Sequence, residues 1–322
     1  MAKTSRGFNC GRDLIPPTRH LTPRYPYINV SVLGRCLGFW MRIDAHQHFW
    51  NYSKNPSDYV WMTDEHSILR RDLGPDELRP LIEKTGFDGT IAIQAREMRK
   101  ETDYLLDIAR EHDFVRGVVG WLDLCDPAVA EDLEMLADEK LLRGLRMLIH
   151  ERADVGFAAS EPHVRGVGLL AKYSLTYDLL VRPQHLRAAT ELVDKFPNQA
   201  FVIDHIAKPR LRLGWDEEWS AGIALIAERP NVYCKLSGMV TEADPTKLAS
   251  TPFMRYLDTV LERFGSLRLM IGSDWPVCTC ATDYSTTMGI TMSWASRLSE
   301  AEQFAIFGDN CSRFYRLTKQ PA

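Results

Sequence analysis

Four residues of the chain have the types and the spacing that hydrolytic chemistry requires. His46 and His48 are separated by one residue, so on a β-strand both imidazoles project from the same face, about 7 Å apart at the backbone. His205 ends the apolar run Phe-Val-Ile-Asp-His, and Asp274 ends the run Met-Ile-Gly-Ser-Asp. Imidazoles and carboxylates are typical zinc ligands, and a carboxylate can also act as a general base toward water.

The four residues are informative only as a set. An isolated His-x-His pair is more often two surface or packing residues, and a single His or Asp after an apolar run is more often structural. Here the runs that end in these residues are the first, sixth and eighth predicted strands, and parallel strands of a barrel carry the chemistry at one common end. We therefore predict that His46, His48, His205 and Asp274 form one catalytic centre.

Further polar residues end or follow the predicted strands. Polar groups at the ends of buried strands are costly unless they bind one another, water, a metal or a ligand. The residues predicted to bind substrate hydroxyls are Gln94, Arg146, Arg182, Lys208 and Lys235, with Trp50 as an apolar wall. The alternative for Arg146 and Arg182 is a salt bridge with Asp178 or Glu151, and the alternative for Trp50 is core packing.

The remaining histidines are not assigned to the site. His150 follows the fourth predicted strand at a position beyond its end. Five others fall in the N-terminal segment, in loops or on helix surfaces, where we expect contact with solvent; they are His20, His66, His112, His163 and His185.

Strand-length apolar runs alternate with stretches of helical period from Met41 onward. The predicted strands are 42–49, 89–95, 115–124, 142–149, 175–181, 200–206, 231–236 and 267–273. Predicted helices include 75–85, 102–111, 128–139, 183–196, 217–228 and 252–264, and a last one over 300–307 continues at 310–315. Eight buried strands separated by helices indicate an α/β fold, a (β/α)8 TIM barrel. An open doubly wound sheet is the alternative, but no GxGxxG or Walker motif accompanies the strands.

Composition sets limits on the domain organisation and on the partners. Residues 1–40 contain six Lys or Arg and one Asp without a persistent period, so we predict a poorly ordered basic extension before a barrel domain over 41–322. The formal net charge of −4 disfavours nucleic acid as the main ligand, and no apolar run has membrane-spanning length. Seven irregularly spaced cysteines favour free thiols in the cytoplasm. A homo-oligomer is left open.

Several longer segments carry a family resemblance that covers about 41–317. The segments are 44–50 (Asp-Ala-His-Gln-His-Phe-Trp), 202–209 (Val-Ile-Asp-His-Ile-Ala-Lys-Pro) and 272–276 (Gly-Ser-Asp-Trp-Pro), joined by 115–121, 177–183 and 235–238. They resemble the amidohydrolase superfamily, in the branch called amidohydrolase family 2, and are most similar to sugar-acid lactonases of the L-fuconolactonase type. The resemblance implies a barrel of the metal-dependent-hydrolase type with the histidines and Asp274 as its hydrolytic centre.

The resemblance implies hydrolysis of an aldonolactone to its open acid. Asp274 would deprotonate the attacking water. His46, His48, His205 and Asp274 would hold one divalent ion, with Zn²⁺ the best match, or the imidazoles would donate hydrogen bonds to the carbonyl without a metal. Two-metal relatives carry a bridging Lys or Glu on strand four, whereas this strand reads Leu-Arg-Gly-Leu-Arg-Met-Leu-Ile, so two metals are not expected.

Three other functions remain open at this point. The same residues fit non-oxidative decarboxylation of an aromatic or muconate-type acid, as elsewhere in the family, with arginines binding the carboxylate. They also fit hydrolysis of another lactone, such as a pyrone or muconolactone. A catalytically inactive barrel that only binds a ligand is disfavoured, because the set of candidate ligands is intact.

Overall fold

Eight parallel strands follow one another in chain order around a single sheet in the computed structural model, which describes residues 41–317. They are β1 (Ile43–Gln47), β2 (Gly89–Ile93), β3 (Val115–Gly120), β4 (Leu142–Leu148), β5 (Thr176–Leu180), β6 (Phe201–Ile203), β7 (Val232–Leu236) and β8 (Leu269–Ile271). The sequential order confirms the predicted TIM barrel, since an open doubly wound sheet would reverse its strand order. The predicted N-terminal extension, residues 1–40, lies outside the described residues, as does 318–322.

The barrel closes between its first and last strands, just beyond the end of β8. The amide of Asp274 donates to the carbonyl of His46 (2.8 Å), and the amide of His48 donates to the carbonyl of Trp275 (2.7 Å). These two hydrogen bonds join the segments that carry three of the four predicted catalytic residues. Closure of the barrel therefore places those residues beside one another.

Helices cover the outside of the barrel within the described range. They are α1 (Pro75–Thr85), α2 (Arg99–Glu111), α3 (Val129–Met135), α4 (Glu161–Val167), α5 (Leu186–Lys195), α6 (Glu217–Ala227), α7 (Met239–Glu242), α8 (Phe253–Phe264), α9 (Tyr284–Ala295), α10 (Glu300–Phe304) and α11 (Asn310–Phe314), with a π-helical turn (Ala305–Asp309) between the last two. Of the described helices, none is long and apolar enough to cross a bilayer.

The sequence pattern marks most of these helices but misses α4, α9 and the four-residue α7. Helix α1 matches its prediction residue for residue, because Pro75 starts it and Gly86, with φ of 77°, ends it in the left-handed conformation. Helix α9 reads Tyr-Ser-Thr-Thr-Met-Gly-Ile-Thr-Met-Ser-Trp-Ala and contains no charged residue. It is buried on several sides, so its sequence has no polar face to reveal a helical period. Helix α4 has only seven residues, too few for a period to emerge.

The sixth and eighth strands end earlier than predicted, and the reason lies in the backbone. Four consecutive residues after β6, from His205 to Lys208, have positive φ angles of 54°, 46°, 61° and 48°, and Asp274 after β8 has φ of 58°. The left-handed region is unfavourable for residues with a Cβ, and outliers of this kind are concentrated at functional sites. The turns point the side chains of His205 and Asp274 away from the paths of their strands.

The C-terminal helix closes the barrel interior opposite the catalytic residues. Cys311, Phe314 and Tyr315 are buried against side chains of β1, β2, β3, β6 and β8. Tyr315 also reaches a charged residue inside the barrel, since its hydroxyl donates to Asp178 Oδ2 at 2.7 Å. The last described helix is therefore connected to the polar interior of the barrel.

Two histidines that we expected at the solvent are buried. His163 and His185 are fully inaccessible, so that expectation is wrong for both. His163 Nδ1 lies 2.8 Å from the carbonyl of Ala158, and Nε2 lies 2.7 Å from the hydroxyl of Tyr177. His185 contacts the backbone of Arg182 and Arg152. Partners far along the chain, such as Tyr177, cannot be recognised from local sequence, which explains the error.

Burial of His163 makes the stability of the fold sensitive to acid. Burial lowers the pKa of His163 to about 4. The unfolded chain takes up a proton near pH 6.5, whereas the folded chain does not, so stability falls as the pH drops from about 6.5 toward 4. We expect this residue to remove about 2 kcal/mol of unfolding free energy between pH 7.5 and pH 5. Urea unfolding at both pH values should show a smaller decrease for His163→Gln than for the wild-type protein, while His112→Gln, at a partly exposed site, should retain the wild-type decrease. Equal decreases in all three proteins would contradict the assignment.

Candidate active site

Three imidazoles converge on one carboxylate oxygen at the end of the barrel where the strands have their C-terminal residues. Asp274 Oδ1 lies 3.3 Å from His48 Nε2, 3.7 Å from His205 Nε2 and 3.9 Å from His46 Nε2. The two histidines of the first strand approach each other as well, with their Nε2 atoms 3.3 Å apart. All four side chains are buried, with at most 7% of any of them exposed. The structure thus brings the four predicted catalytic residues together.

Each imidazole is held through its other ring nitrogen. His48 Nδ1 lies 2.8 Å from the carbonyl of Ile93, and His205 Nδ1 lies 2.9 Å from Ser237 Oγ. Because a carbonyl oxygen only accepts, Nδ1 of His48 carries the proton and its Nε2 offers a lone pair to the site. Gly238 makes room for His205, since a Cβ at that position would lie 2.5 Å from the imidazole ring. Contacts of this kind orient the rings before any ligand binds.

His46 has two kinds of partner at Nδ1, and they correspond to two tautomers. Asp204 Oδ1 lies 3.3 Å from this nitrogen and Lys235 Nζ lies 3.2 Å from it. When Nδ1 donates to Asp204, Nε2 has a lone pair that can accept from Arg146 Nη1, 3.3 Å away, or bind a cation. When Nδ1 accepts from Lys235, Nε2 carries the proton and can donate it to a carbonyl oxygen.

The charge states of these groups follow from burial and from one another. Burial lowers the pKa of His46 and of His205 well below the ordinary value, so both imidazoles are neutral near pH 7. Burial acts to raise the pKa of Asp274, but His205 and His48 beside it outweigh that effect and lower it overall. Asp274 is consequently an ionised carboxylate near pH 7, which is the form that can accept a proton from water.

A buried network of charges lies beneath the imidazoles. Asp204 accepts from Arg146 Nη1 (2.9 Å) and lies 3.0 Å from Lys235 Nζ, and Lys235 also donates to Asp178 (2.6 Å). The network has two cations and two carboxylates, each at most 3% exposed. The lysine and the arginine outweigh the effect of burial and, together with His46, hold the pKa of Asp204 well below its usual range.

Three of the predicted substrate-binding residues belong to this network or border it. Lys235 and Gln94 are completely buried and Arg146 is 2% exposed. The Gln94 amide donates to the carbonyl of Arg146 (3.2 Å), and the arginine guanidinium bonds back to the carbonyl of Gln94. The structure places these three side chains under the catalytic centre, where they contact protein groups rather than the mouth of the barrel.

The predicted aromatic wall is also mainly internal. Trp50 is 1% exposed, and its indole N–H donates to the carbonyls of Leu69 (3.1 Å) and Arg71 (3.0 Å). Its ring stacks behind His48, with 6.4 Å between the ring centroids. Trp50 therefore packs beside the imidazole of His48.

The other two predicted substrate-binding residues lie at the rim of the site. Arg182 Nη1 and Lys208 Nζ contact the two oxygens of Glu242, at 3.4 Å and 2.6 Å. His150 lies close to the same cations, and burial together with Lys208, Arg182 and Arg146 lowers its pKa to about 2. Glu242 and Asp204 are not among the residues predicted from the sequence, and Asp178 was predicted only as a possible salt-bridge partner of Arg146 or Arg182. Asp204 directly precedes His205, so the rule of polar strand ends could have found it, whereas Glu242 lies on a short helix without a comparable signal.

The donor set at the centre fits a single divalent cation. Donor atoms bonded to a tetrahedral zinc at about 2.1 Å lie roughly 3.4 Å apart, and His46, His48 and Asp274 present theirs 3.3 to 3.9 Å apart. With Nδ1 of both histidines protonated, two nitrogen lone pairs and a carboxylate oxygen face one another, an arrangement that a cation stabilises. His205 Nε2 lies 3.7 Å from Asp274, and His205 forms a second group of possible ligands with His46 and Asp204.

Comparison with known proteins identifies the family. The family model described as amidohydrolase matches residues 43–317, which is nearly all of the described chain. The chain belongs to the amidohydrolase family. A match of this length includes every strand of the barrel and all four predicted catalytic residues.

This amidohydrolase is similar to two curated bacterial enzymes and to a solved structure. It is 38% identical over 289 residues to L-fucono-1,5-lactonase of Burkholderia multivorans and 35% identical over 285 residues to that of Burkholderia ambifaria, covering 86% of this chain and 96% of each relative. A crystal structure of an amidohydrolase from Burkholderia multivorans with bound zinc superposes with a TM-score of 0.82 at 38% identity, over 86% of this chain and all of that one.

Proposed function

We propose that this amidohydrolase opens the ring of a sugar-acid lactone, of the L-fuconolactone type, to give the free aldonic acid. The observation that supports this function best is the convergence of three imidazoles on one oxygen of the Asp274 carboxylate. Ester hydrolysis needs a base for water and a group that stabilises the oxyanion, and the centre offers both. The relatives named L-fucono-1,5-lactonase, at 35 to 38% identity, support the choice of a sugar lactone.

Asp274 moves the proton in the proposed reaction. Its carboxylate accepts a proton from a water molecule as the water oxygen bonds to the lactone carbonyl carbon. As the tetrahedral intermediate collapses, the bond to the ring oxygen breaks and Asp274 returns the proton to that oxygen. The carboxylate ends the cycle ionised, as it began.

His46, His48, His205 and Asp274 are the residues that would hold a divalent metal ion, with zinc the best match to the imidazole donors. A bound cation of this kind would polarise the carbonyl and lower the pKa of water. In the other tautomer of His46, the protonated Nε2 would donate to the carbonyl oxygen and stabilise the oxyanion directly. Arg146 Nη1, 3.3 Å from His46 Nε2, puts a positive charge beside the site and disfavours a second metal ion.

We expect the purified protein to bind about one zinc per chain and to lose activity when a chelator removes it. Elemental analysis together with lactone hydrolysis before chelation, after chelation and after zinc addition would test this expectation. His205→Ala should reduce the zinc content, while His112→Gln, at the C-terminal end of α2, should not. Full activity in metal-free protein would contradict metal-dependent catalysis and favour hydrogen-bond donation by His46.

Arg182 and Lys208 are the proposed contacts to the substrate, because they lie at the rim with 35% and 12% of their side chains exposed. We propose that Gln94, Arg146 and Lys235 instead position the catalytic groups from below, and that Trp50 holds His48. These positioning roles replace direct substrate contact for buried side chains.

A panel of six-carbon aldonolactones and aromatic acids, followed for acid release and for carbon dioxide release, tests the proposed reaction. Acid release from an aldonolactone at a rate that saturates with substrate would support it. Carbon dioxide release without lactone opening would instead identify a decarboxylase. Hydrolysis of pyrones or muconolactones but not of sugar lactones would replace the substrate class and keep the chemistry.

We also propose the cytoplasm as the compartment, since the five described cysteines are free thiols. The thiols are Cys125, Cys234, Cys278, Cys280 and Cys311. The oligomeric state stays open, and size-exclusion chromatography with light scattering would determine it.

A further inference from the structure

Glu242 links the two partly exposed cations of the rim, Arg182 and Lys208. Its Oε1 lies 2.6 Å from Lys208 Nζ and its Oε2 lies 3.4 Å from Arg182 Nη1. The three residues follow three consecutive strands: Arg182 comes after β5, Lys208 after β6 and Glu242 after β7. In a TIM barrel these segments form the mouth of the active site, and here the amide of Lys208 donates to the carbonyl of His205 (2.8 Å).

The segment that carries Glu242 is anchored from behind. The Arg212 guanidinium donates to the carbonyls of Ala243 (3.0 Å) and Thr241 (3.4 Å), on either side of the glutamate. Backbone contacts of this type limit the movement of α7 relative to the loop after β6. Glu242 is therefore held in place at the rim, with 15% of its side chain exposed.

We infer that Glu242 determines specificity by accepting hydrogen bonds from adjacent hydroxyl groups of the lactone, an inference that rests on the proposed function. An ionised carboxylate has about four acceptor sites on its two oxygens. Lys208 and Arg182 each contact one oxygen, which leaves acceptor capacity for two neighbouring hydroxyls. The two cations keep free N–H donors for the oxygens of the same hydroxyls, so the three side chains together match a polyol.

A purely electrostatic role for Glu242 would have a different consequence. If the glutamate only neutralised Lys208 and Arg182, its loss would alter the field at Asp274 for every lactone. A residue that binds hydroxyls matters only for a substrate that has them. The ratio of activities on a hydroxylated and an unsubstituted lactone therefore separates the two roles.

The experiment compares Glu242→Gln with the wild-type protein on a six-carbon aldono-1,5-lactone and on δ-valerolactone, which has the same ring without hydroxyls. The amide retains the shape but loses the charge and one acceptor oxygen. We expect kcat/KM for the aldonolactone to fall about 30-fold, mainly through KM, because hydrogen bonds to charged groups are lost. The value for δ-valerolactone should change less than about threefold. Glu228→Gln, at an exposed position on the end of α6, is the matched control and should equal the wild type on both substrates.

Equal losses on the two lactones, or no loss on either, would overturn the inference. Should circular dichroism show Glu242→Gln to be unfolded, Glu242→Asp can replace it, because it keeps the charge. Its shorter side chain should still lower kcat/KM selectively for the aldonolactone. A wild-type protein that hydrolyses no aldonolactone would instead reject the proposed function, so the two failures are distinguishable.

Discussion

The Asp274→Asn variant is expected to turn over its best lactone about 10³-fold more slowly than the wild-type protein, measured as kcat. The amide has nearly the size of the carboxylate but cannot accept a proton from water. The three Nε2 atoms around Oδ1 lie within 3.9 Å, so the substitution changes the chemistry with little change in packing. Initial rates over a range of substrate concentrations measure the loss.

Two controls determine whether the loss belongs to the base. Asp138→Asn makes the same chemical change at an exposed position and should leave kcat unchanged. Zinc content measured on Asp274→Asn, with the rate repeated in excess zinc, separates loss of a ligand from loss of the base. A variant that kept the wild-type kcat would show that Asp274 does not deprotonate water.

The convergence of His46, His48 and Asp274 could be predicted from the sequence, because the necessary rules are local. His46 and His48 share a face by the two-residue period of a strand, and closure of the barrel brings Asp274 to them. The eight alternating runs predicted the strand count, and the structure confirms the sequential order. Their predicted ends failed at His205 and Asp274, where a positive φ stops the strand, and no residue type there signals that conformation, since it is usually adopted by glycine.

The buried network beneath the imidazoles could not be predicted in the same way. Lys235 and Gln94 were predicted from their positions at or near the ends of strands, and that pattern did not indicate that both are completely buried. Which layer of a barrel a strand residue occupies depends on the tilt and stagger of all eight strands, which no single strand encodes. Glu242 at the rim was not predicted for another reason: it is positioned by Lys208 and Arg182, which are both distant in sequence. Pairings over such separations leave no local pattern.

Lys235→Met should show how much the buried network contributes. Methionine fills a similar volume but leaves Asp178 and Asp204 with one cation fewer. Removing one partner of a buried ion pair typically costs about 3 to 5 kcal/mol, so urea unfolding at pH 7.5 should show a loss of that order. We also expect a lower kcat, because Lys235 Nζ, 3.2 Å from His46 Nδ1, helps to set the orientation and tautomer of that ring. Lys140→Met, on an exposed lysine, is the control and should match the wild type in both measurements.

The loss of unfolding free energy caused by Lys235→Met should be smaller in acid. It should also be smaller when Asp178→Asn is added. Burial raises the pKa of Asp178 to about 6 even with Lys235 present, so without the lysine this carboxyl takes up a proton more readily still. A folded-state pKa above the unfolded value adds stability as the pH falls, so the loss in Lys235→Met should be smaller at pH 5.5 than at pH 7.5.

Lys235→Met combined with Asp178→Asn should recover part of the stability at pH 7.5, because the unpaired charge is gone. It should not recover kcat, since the contact to His46 is still missing. Recovery of both would mean that Lys235 serves the fold alone, whereas recovery of stability without kcat identifies it as a positioning residue for His46.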